Sequence, residues 1–95
     1  MTAFVTFRIP VAYKVVPTSI VLREMATRWG SCTPRGKIIL NPELIKAPKG
    51  CIEYVIIHEL CHLIHRDHTQ KFIDLQTREM NDWSKWKAKL EMIMA

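Results

Sequence analysis

The segment VIIHELCHLIHRDH, residues 55–68, contains every histidine of the 95-residue chain. These histidines are His58, His62, His65 and His68. His58 and His62 are four residues apart, so on a helix they project from one face about one turn apart. Two imidazoles at that separation can meet one tetrahedral ion with bonds of about 2.0–2.1 Å. The spacing therefore predicts a metal-binding helix, and the apolar residues before His58 indicate that this helix is largely buried.

Glu59 directly follows the first histidine of this pair. On a helix its side chain can reach a water molecule on the metal without itself binding the metal. The pattern H-E-x-x-H on a helix is that of a zinc site with its general base attached. The chemistry that it predicts is peptide hydrolysis by a zinc-activated water, with Glu59 as the acceptor of the water proton.

The third metal ligand has to come from a segment that follows the helix and turns back toward His58 and His62. His65 lies seven residues after His58, which is about 10 Å along a helix axis, too far for both to bind one zinc. His68 follows Arg66-Asp67, where we expect the helix to end, so it can return to the first two histidines. Its spacing is that of the metzincins, in which a glycine stands in place of His65, and histidine tolerates the left-handed backbone of such a turn. Glu79 is the fallback ligand.

The residues before this helix predict a β-hairpin over about 19–40. Residues 19–29 are rich in Ile, Val, Thr and Trp, which favours a strand. Residues 33–36 read as a turn with Pro at its second and Gly at its fourth position, and residues 37–40 return as a second strand. We expect this second strand to be an exposed edge to which an extended substrate adds main-chain hydrogen bonds.

Three to four helices are expected after the hairpin. Asn41-Pro42-Glu43 is a helix start, and the long H-E-x-x-H helix should run over about 48–65. Asp67-x-x-Gln70 resembles a capping box for a third helix, and Asn81-Asp82 can cap a fourth. The fourth helix carries an apolar stripe that we expect in the core: Trp83, Trp86, Leu90 and Ile93. The fold class is therefore α+β, in a single domain over residues 1–95 in which residues 1–14 stay unassigned.

Composition narrows the class of protein further. A hydrophobic content of 48% is that of a folded globule, and the three cysteines form no C-x-x-C pair. We therefore expect free thiols in a reducing compartment, and with no signal peptide or membrane span in view we expect a cytoplasmic protein. The net charge of +5 is spread along the chain, which favours a solvated surface over a nucleic-acid patch. The oligomeric state is left open.

Four motifs follow one another along the chain: Arg28-Trp29-Gly30-Ser31-Cys32, Ile39-Leu40-Asn41, His58-Glu59-Leu60-Cys61-His62 and His68-x-x-x-Phe72. In this order they resemble the YgjP-like metallopeptidase family, which is zincin-like and related to WLM and SprT-type domains. The resemblance covers roughly residues 15–95, and family members are commonly longer at the N-terminus.

The resemblance implies one zinc ion per chain, bound by His58, His62 and His68, with Glu59 as the catalytic base. It also implies a zincin-like arrangement in which the active-site helix lies beside a small sheet, and a peptide or protein as the substrate. WLM and SprT relatives act on proteins attached to DNA, so a weak association with DNA is a further expectation.

Two other readings of the same residues remain open. The chain can be a zinc-stabilised module that binds a protein or DNA without significant protease activity, or a regulatory zinc sensor. Glu59 favours the enzyme, because a purely structural zinc site has no use for a base at that position. A second donor to the substrate carbonyl would assist hydrolysis, and the sequence does not rank the candidates: His65, Arg66, Arg28 and Tyr54.

Overall fold

The computed structural model describes residues 17–94 and has an α+β architecture of three α-helices and a three-stranded sheet. The elements in chain order are β1 (Ser19–Leu22), β2 (Gly30–Cys32), β3 (Lys37–Leu40), a 3₁₀-helix (Pro42–Lys46), α1 (Lys49–Cys61), α2 (Gln70–Glu79) and α3 (Trp83–Met94). The predicted class is thus confirmed for this part of the chain. Residues 1–14, unassigned from the sequence, lie outside the described residues.

The sheet is mixed, with the strand order β1-β3-β2. β2 and β3 form the antiparallel hairpin, and Gly36 in its turn has a φ of 85°, which a side chain rarely tolerates. β1 instead pairs parallel to β3. The prediction of one hairpin over 19–40 is therefore wrong for its first strand. The prediction that residues 37–40 form an exposed edge is also wrong, because β3 is the central strand.

Asn41 explains why the first predicted strand stops at Leu22 and does not continue to Trp29. Its buried side-chain amide donates to the carbonyl oxygens of Met25 at 2.9 Å and Arg28 at 3.0 Å. These carbonyls therefore bond to an asparagine and not to a neighbouring strand. The Oδ1 atom of Asn41 also accepts from the Glu43 backbone N–H at 3.0 Å, which confirms the predicted start of the short helix.

α1 is the central element and contacts β2, β3, α2 and α3. It ends at Cys61, earlier than the predicted end near residue 65, and the chain continues in a tight turn over residues 62–64. α1 approaches α3 so closely that a Cβ atom on Gly50 would lie 2.2 Å from Cε2 of Trp86. The buried cluster around α1 comprises Leu44, Ala47, Cys51, Tyr54, Val55, Ile57, Cys61, Phe72, Leu75, Met80 and Leu90.

The capping residue predicted for α2 is wrong, whereas α3, the fourth helix of the sequence prediction, starts where the sequence places it. Thr69, and not Asp67, caps α2: its hydroxyl accepts from the Phe72 backbone N–H at 3.4 Å. α3 begins directly after Asn81-Asp82, and its apolar stripe is shorter than predicted because Ile93 is 46% exposed.

Among residues 17–94, no helix is long and apolar enough to cross a membrane.

Candidate metal centre

Three of the four histidines converge at the junction of α1 and α2. His58 lies in the last turn of α1, His62 follows the helix directly, and His68 lies in the loop before α2. The Nε2 atom of His68 lies 3.3 Å from Nε2 of His58 and 3.0 Å from Nε2 of His62. One ligand atom from each residue lies within 4.8 Å of the others, and residues 17–94 contain no second such group of histidine, cysteine or carboxylate side chains.

The two distances from Nε2 of His68 to the other nitrogens fit a tetrahedral zinc ion. Two ligands that each lie about 2.0–2.1 Å from such an ion are about 3.3–3.4 Å apart. The distances of 3.3 Å and 3.0 Å from His68 to the other two nitrogens are close to that value. Three imidazoles are also a donor set that zinc accepts, with one coordination position left for another ligand.

Hydrogen bonds on the far side of two rings turn their Nε2 atoms toward the cluster. Nδ1 of His58 donates to Oε1 of Gln76 at 2.7 Å, and Nδ1 of His62 donates to the backbone carbonyl of His65 at 3.1 Å. A proton on Nδ1 leaves the Nε2 lone pair free for a metal. Burial, the largest cause, lowers the pKa of His58 to about 4 and also lowers the pKa of His62, so both rings favour the neutral form that binds metal.

Phe72 forms the apolar base of the cluster. It is fully buried, and its ring centroid lies 5.0 Å from that of His58, 4.6 Å from that of His62 and 4.9 Å from that of His68. Its position four residues after His68 places it on the first turn of α2, directly under the loop that carries this histidine. An apolar wall of this kind limits the freedom of the three imidazoles.

Glu59 lies on the α1 face that packs against β2. Its side chain is buried, at 6% exposure, and this burial raises its pKa to about 7, with Arg28 acting in the opposite direction. Gly30 makes the close packing possible, because a Cβ atom there would lie 2.8 Å from Cγ1 of Val55 and 3.1 Å from Cγ of Glu59. The carboxyl group is thus held between helix and strand, in a place where it resists ionisation.

A cavity of about 260 Å³, which we call the metal-side cavity, opens between these groups. It is lined by Arg28, Gly30, Ser31, Cys32, His58, Glu59, His62, Arg66 and His68. The three clustered histidines and the buried carboxyl therefore face one common space. Two arginines border the same space, so a negatively charged or strongly polar group placed there would meet cationic donors.

Comparison with family models matches residues 8–92 to the YgjP-like, metallopeptidase domain. The chain belongs to this YgjP-like family. The match spans nearly the whole chain and confirms the resemblance inferred from the motifs. Comparisons with curated proteins and with solved structures gave no significant match.

In this YgjP-like chain, the residues that the sequence suggested as donors to the substrate carbonyl or as a fallback metal ligand lie in different places. Arg28 and Arg66 border the metal-side cavity, whereas Tyr54 lies in a neighbouring cavity and His65 in a recess with residues of α2. Glu79, the fallback ligand, is outside the histidine cluster, and its Oε2 atom lies 3.5 Å from Nε of Arg78. His65 does not need a left-handed backbone, because Gly36 is the one residue with positive φ in the described part of the chain.

Sequence reasoning missed Gln76 and the backbone carbonyl of His65, which orient the YgjP-like chain's first two histidines. One signal for Gln76 was present. It lies four residues after Phe72 on α2 and therefore shares a helix face with a residue that the motif places beside the histidines. The carbonyl of His65 carries no such signal, since every residue has one.

Proposed function

We propose that the chain is a zinc-dependent peptidase in which His58, His62 and His68 bind one zinc ion and Glu59 is the general base. One observation carries this proposal: three converging Nε2 atoms and a buried carboxyl group line the same cavity. The family match, whose description is a metallopeptidase domain, supports the reaction class. A site with a purely structural metal has no need of a carboxyl group held beside it.

The bound ion would lower the pKa of a coordinated water towards about 7 and polarise the substrate carbonyl. Glu59 accepts a proton from the attacking water and delivers it to the leaving amine, so that the C–N bond breaks as the carbonyl carbon gains a hydroxyl group. Its pKa of about 7 suits both steps, because such a carboxyl group accepts and releases a proton near neutral pH.

Arg28 and Arg66 have a supporting role in this proposal. Both guanidinium groups border the metal-side cavity, so either can donate hydrogen bonds to a carbonyl oxygen or carboxylate of the substrate. A donor aimed at the oxygen on which charge develops contributes to the rate as in an oxyanion hole. Their position favours them over Tyr54 and His65, which lie outside this cavity.

The proposal is tested with the purified protein and a library of peptides, in zinc-loaded and chelator-treated forms. Glu59→Gln should lose peptide cleavage by about 10²–10⁴-fold while it keeps close to one zinc per chain. Glu79→Gln is the matched control, because it removes a carboxylate outside the histidine cluster, and it should keep both zinc and activity.

Two results would contradict different parts of the proposal. Substantial cleavage by Glu59→Gln would reject Glu59 as the general base and leave the peptidase activity standing. Zinc-loaded protein that binds one ion per chain but cleaves no peptide of the library would favour the alternative of a zinc-stabilised binding module. Loss of zinc from Glu59→Gln would instead mean that this carboxyl group helps to hold the metal.

A further inference from the structure

A second cavity, which we call the apolar cavity, adjoins the metal-side cavity. It has a volume of about 290 Å³ and lies between α1, the middle of α3 and residues 28–30. The two cavities have four lining residues in common, which are Arg28, Gly30, His58 and Glu59. They therefore form one groove along α1, with the histidine cluster at the end that carries His62.

The walls of the apolar cavity differ from those of the metal-side cavity. The walls of the apolar cavity consist of rings and aliphatic groups, which come from Trp29, Tyr54, Val55 and Leu90. Of the three clustered histidines, His58 alone lines this cavity. Val55 and Leu90 are almost fully buried, at 4% and 5% exposure, so the base of the cavity is an accessible part of the hydrophobic core. An apolar group that enters the cavity moves from water to an apolar surface, and this transfer favours binding.

The two charges that α3 contributes at the mouth of the apolar cavity cancel each other. Lys87 and Glu91 are both exposed on α3 and one turn apart, with Nζ and Oε2 separated by 3.5 Å. Arg28 borders the mouth on the other side, toward the metal-side cavity. A charged side chain would find no buried partner of opposite sign in this cavity except Glu59, which lies at the junction with the metal-side cavity.

We propose that the apolar cavity is a substrate subsite that takes one bulky apolar side chain, such as leucine or phenylalanine, from the residue next to the cleaved bond. The inference rests on the proposed peptidase function and names the specificity of that site. The cavity begins at His58 and Glu59, and consecutive Cα atoms are 3.8 Å apart, so the side chain that enters it belongs to a residue adjoining the reacting carbonyl. Its volume of about 290 Å³ is at the lower limit of ligand pockets, which suits a single side chain.

Hydroxamates of single amino acids test the subsite without requiring turnover, because the hydroxamate binds the zinc and its side chain probes the cavity. Calorimetry on zinc-loaded protein would compare the glycyl, leucyl, phenylalanyl, aspartyl and lysyl compounds. We expect the leucyl and phenylalanyl probes to bind about tenfold or more tightly than the glycyl probe, the scale of burying one such side chain. Equal affinities across the series, or no binding of any probe, would overturn the subsite.

Leu90→Ala removes part of the wall and should reduce the preference for leucyl over glycyl hydroxamate by about three- to tenfold. Leu44→Ala is the matched control: Leu44 is buried to 4% exposure, as Leu90 is to 5%, and it lines neither cavity. An unchanged preference in folded Leu90→Ala, or an equal loss in Leu44→Ala, would contradict the assignment.

Exposed Lys87 provides a test that leaves the core intact. Lys87→Glu should strengthen binding of the lysyl probe and weaken that of the aspartyl probe by about two- to fivefold, the scale of a surface charge pair. Lys89→Glu is the control, because Lys89 is exposed on the same helix and lines neither cavity. The same change in both variants, or in neither, would count against a subsite at Lys87.

The two proposals fail in different ways. Protein that shows the hydroxamate preference but cleaves no peptide would reject the peptidase function and keep an apolar binding site. Protein that cleaves peptides with no preference for an apolar residue beside the cleaved bond, and shows none among the hydroxamates, would keep the peptidase function and reject the subsite.

Discussion

The Oε1 atom of Gln76 accepts a hydrogen bond of 2.7 Å from Nδ1 of His58. Gln76 lies on α2 and is only 1% exposed, whereas His58 lies on α1. The packing of the two helices therefore sets both the tautomer and the orientation of one imidazole in the cluster. In metal sites, partners of this kind orient the ligand and raise its basicity.

Gln76→Leu should weaken zinc binding by about 10–100-fold, because Nδ1 of His58 loses its acceptor and the ring is free to turn. Competition with a chromophoric chelator measures this affinity directly. Gln76→Glu keeps an acceptor oxygen for Nδ1 of His58 and should therefore retain most of the zinc affinity. Gln70→Leu, an exposed position at the start of the same helix, should bind zinc as the native protein does. Native affinity in folded Gln76→Leu would show that this hydrogen bond does not position His58.

His68→Ala should lose most of its zinc affinity, whereas His65→Ala should keep the metal. The Nε2 atom of His68 lies within the cluster, whereas His65 lines a separate recess and accepts a hydrogen bond from His62 through its backbone carbonyl. An alanine at position 65 retains that carbonyl. Zinc titrations of the two variants decide the matter, and the reverse result would mean that the third ligand is wrongly assigned.

What the sequence predicted well depends on local geometry. The spacing of four residues was enough to bring His58 and His62 together at the end of α1. The exclusion of His65 assumed a helix as far as residue 65, whereas α1 ends at Cys61, and His65 is outside the cluster because the chain has already turned. The placement of His68 required only that the chain turn after the helix, and it does so in a tight turn over residues 62–64 followed by a loop. Asn41 and Pro42 likewise predict a short helix from their own chemistry.

What the sequence did not predict depends on contacts between distant residues. Residues 23–29 read as strand, yet two of their carbonyl groups bond to Asn41, which lies 13 and 16 positions away from Arg28 and Met25. The parallel pairing of β1 with β3 follows from that loop and leaves no local signature. Gln76 reaches His58 from 18 positions away, through helix packing that periodicity does not specify.

Removal of zinc should lower the melting temperature of the protein. His58 and His62 belong to the end of α1 and His68 to the loop before α2, so an ion bound by all three would link these segments. At free zinc 100 times the dissociation constant the stabilisation is about 2.7 kcal/mol, which corresponds to about 10–20 °C for a domain of this size. Scanning calorimetry before and after verified chelation measures it, and an identical melting curve would show that the fold does not depend on the metal.

The metal-free protein should also show an unusual dependence of stability on pH, because two buried groups act in opposite directions. The pKa of Glu59 rises from 4.5 to about 7 on folding, so its contribution is fully present below pH 4.5 and is lost as the pH rises through 7. The pKa of His58 falls from 6.5 to about 4, so its contribution is fully present above pH 6.5 and is lost as the pH falls through 4. Between about pH 4.5 and 6.5 the two slopes oppose each other.

Glu59→Gln removes the loss of stability that Glu59 causes as the pH rises. The metal-free variant should therefore become more stable than the metal-free native protein with increasing pH. Its free energy of unfolding, relative to that of the native protein, should increase between about pH 4.5 and 7 by up to about 1.4 kcal/mol per pH unit, and should reach a gain on the order of 3 kcal/mol at pH 8. Urea denaturation in the presence of chelator, repeated at each pH, measures this difference. Glu24→Gln, in the exposed loop after β1, controls for the removal of a surface carboxylate. A constant difference between Glu59→Gln and native protein across this range would mean that Glu59 is ionised in the folded state and is not held in the protonated form that its burial implies.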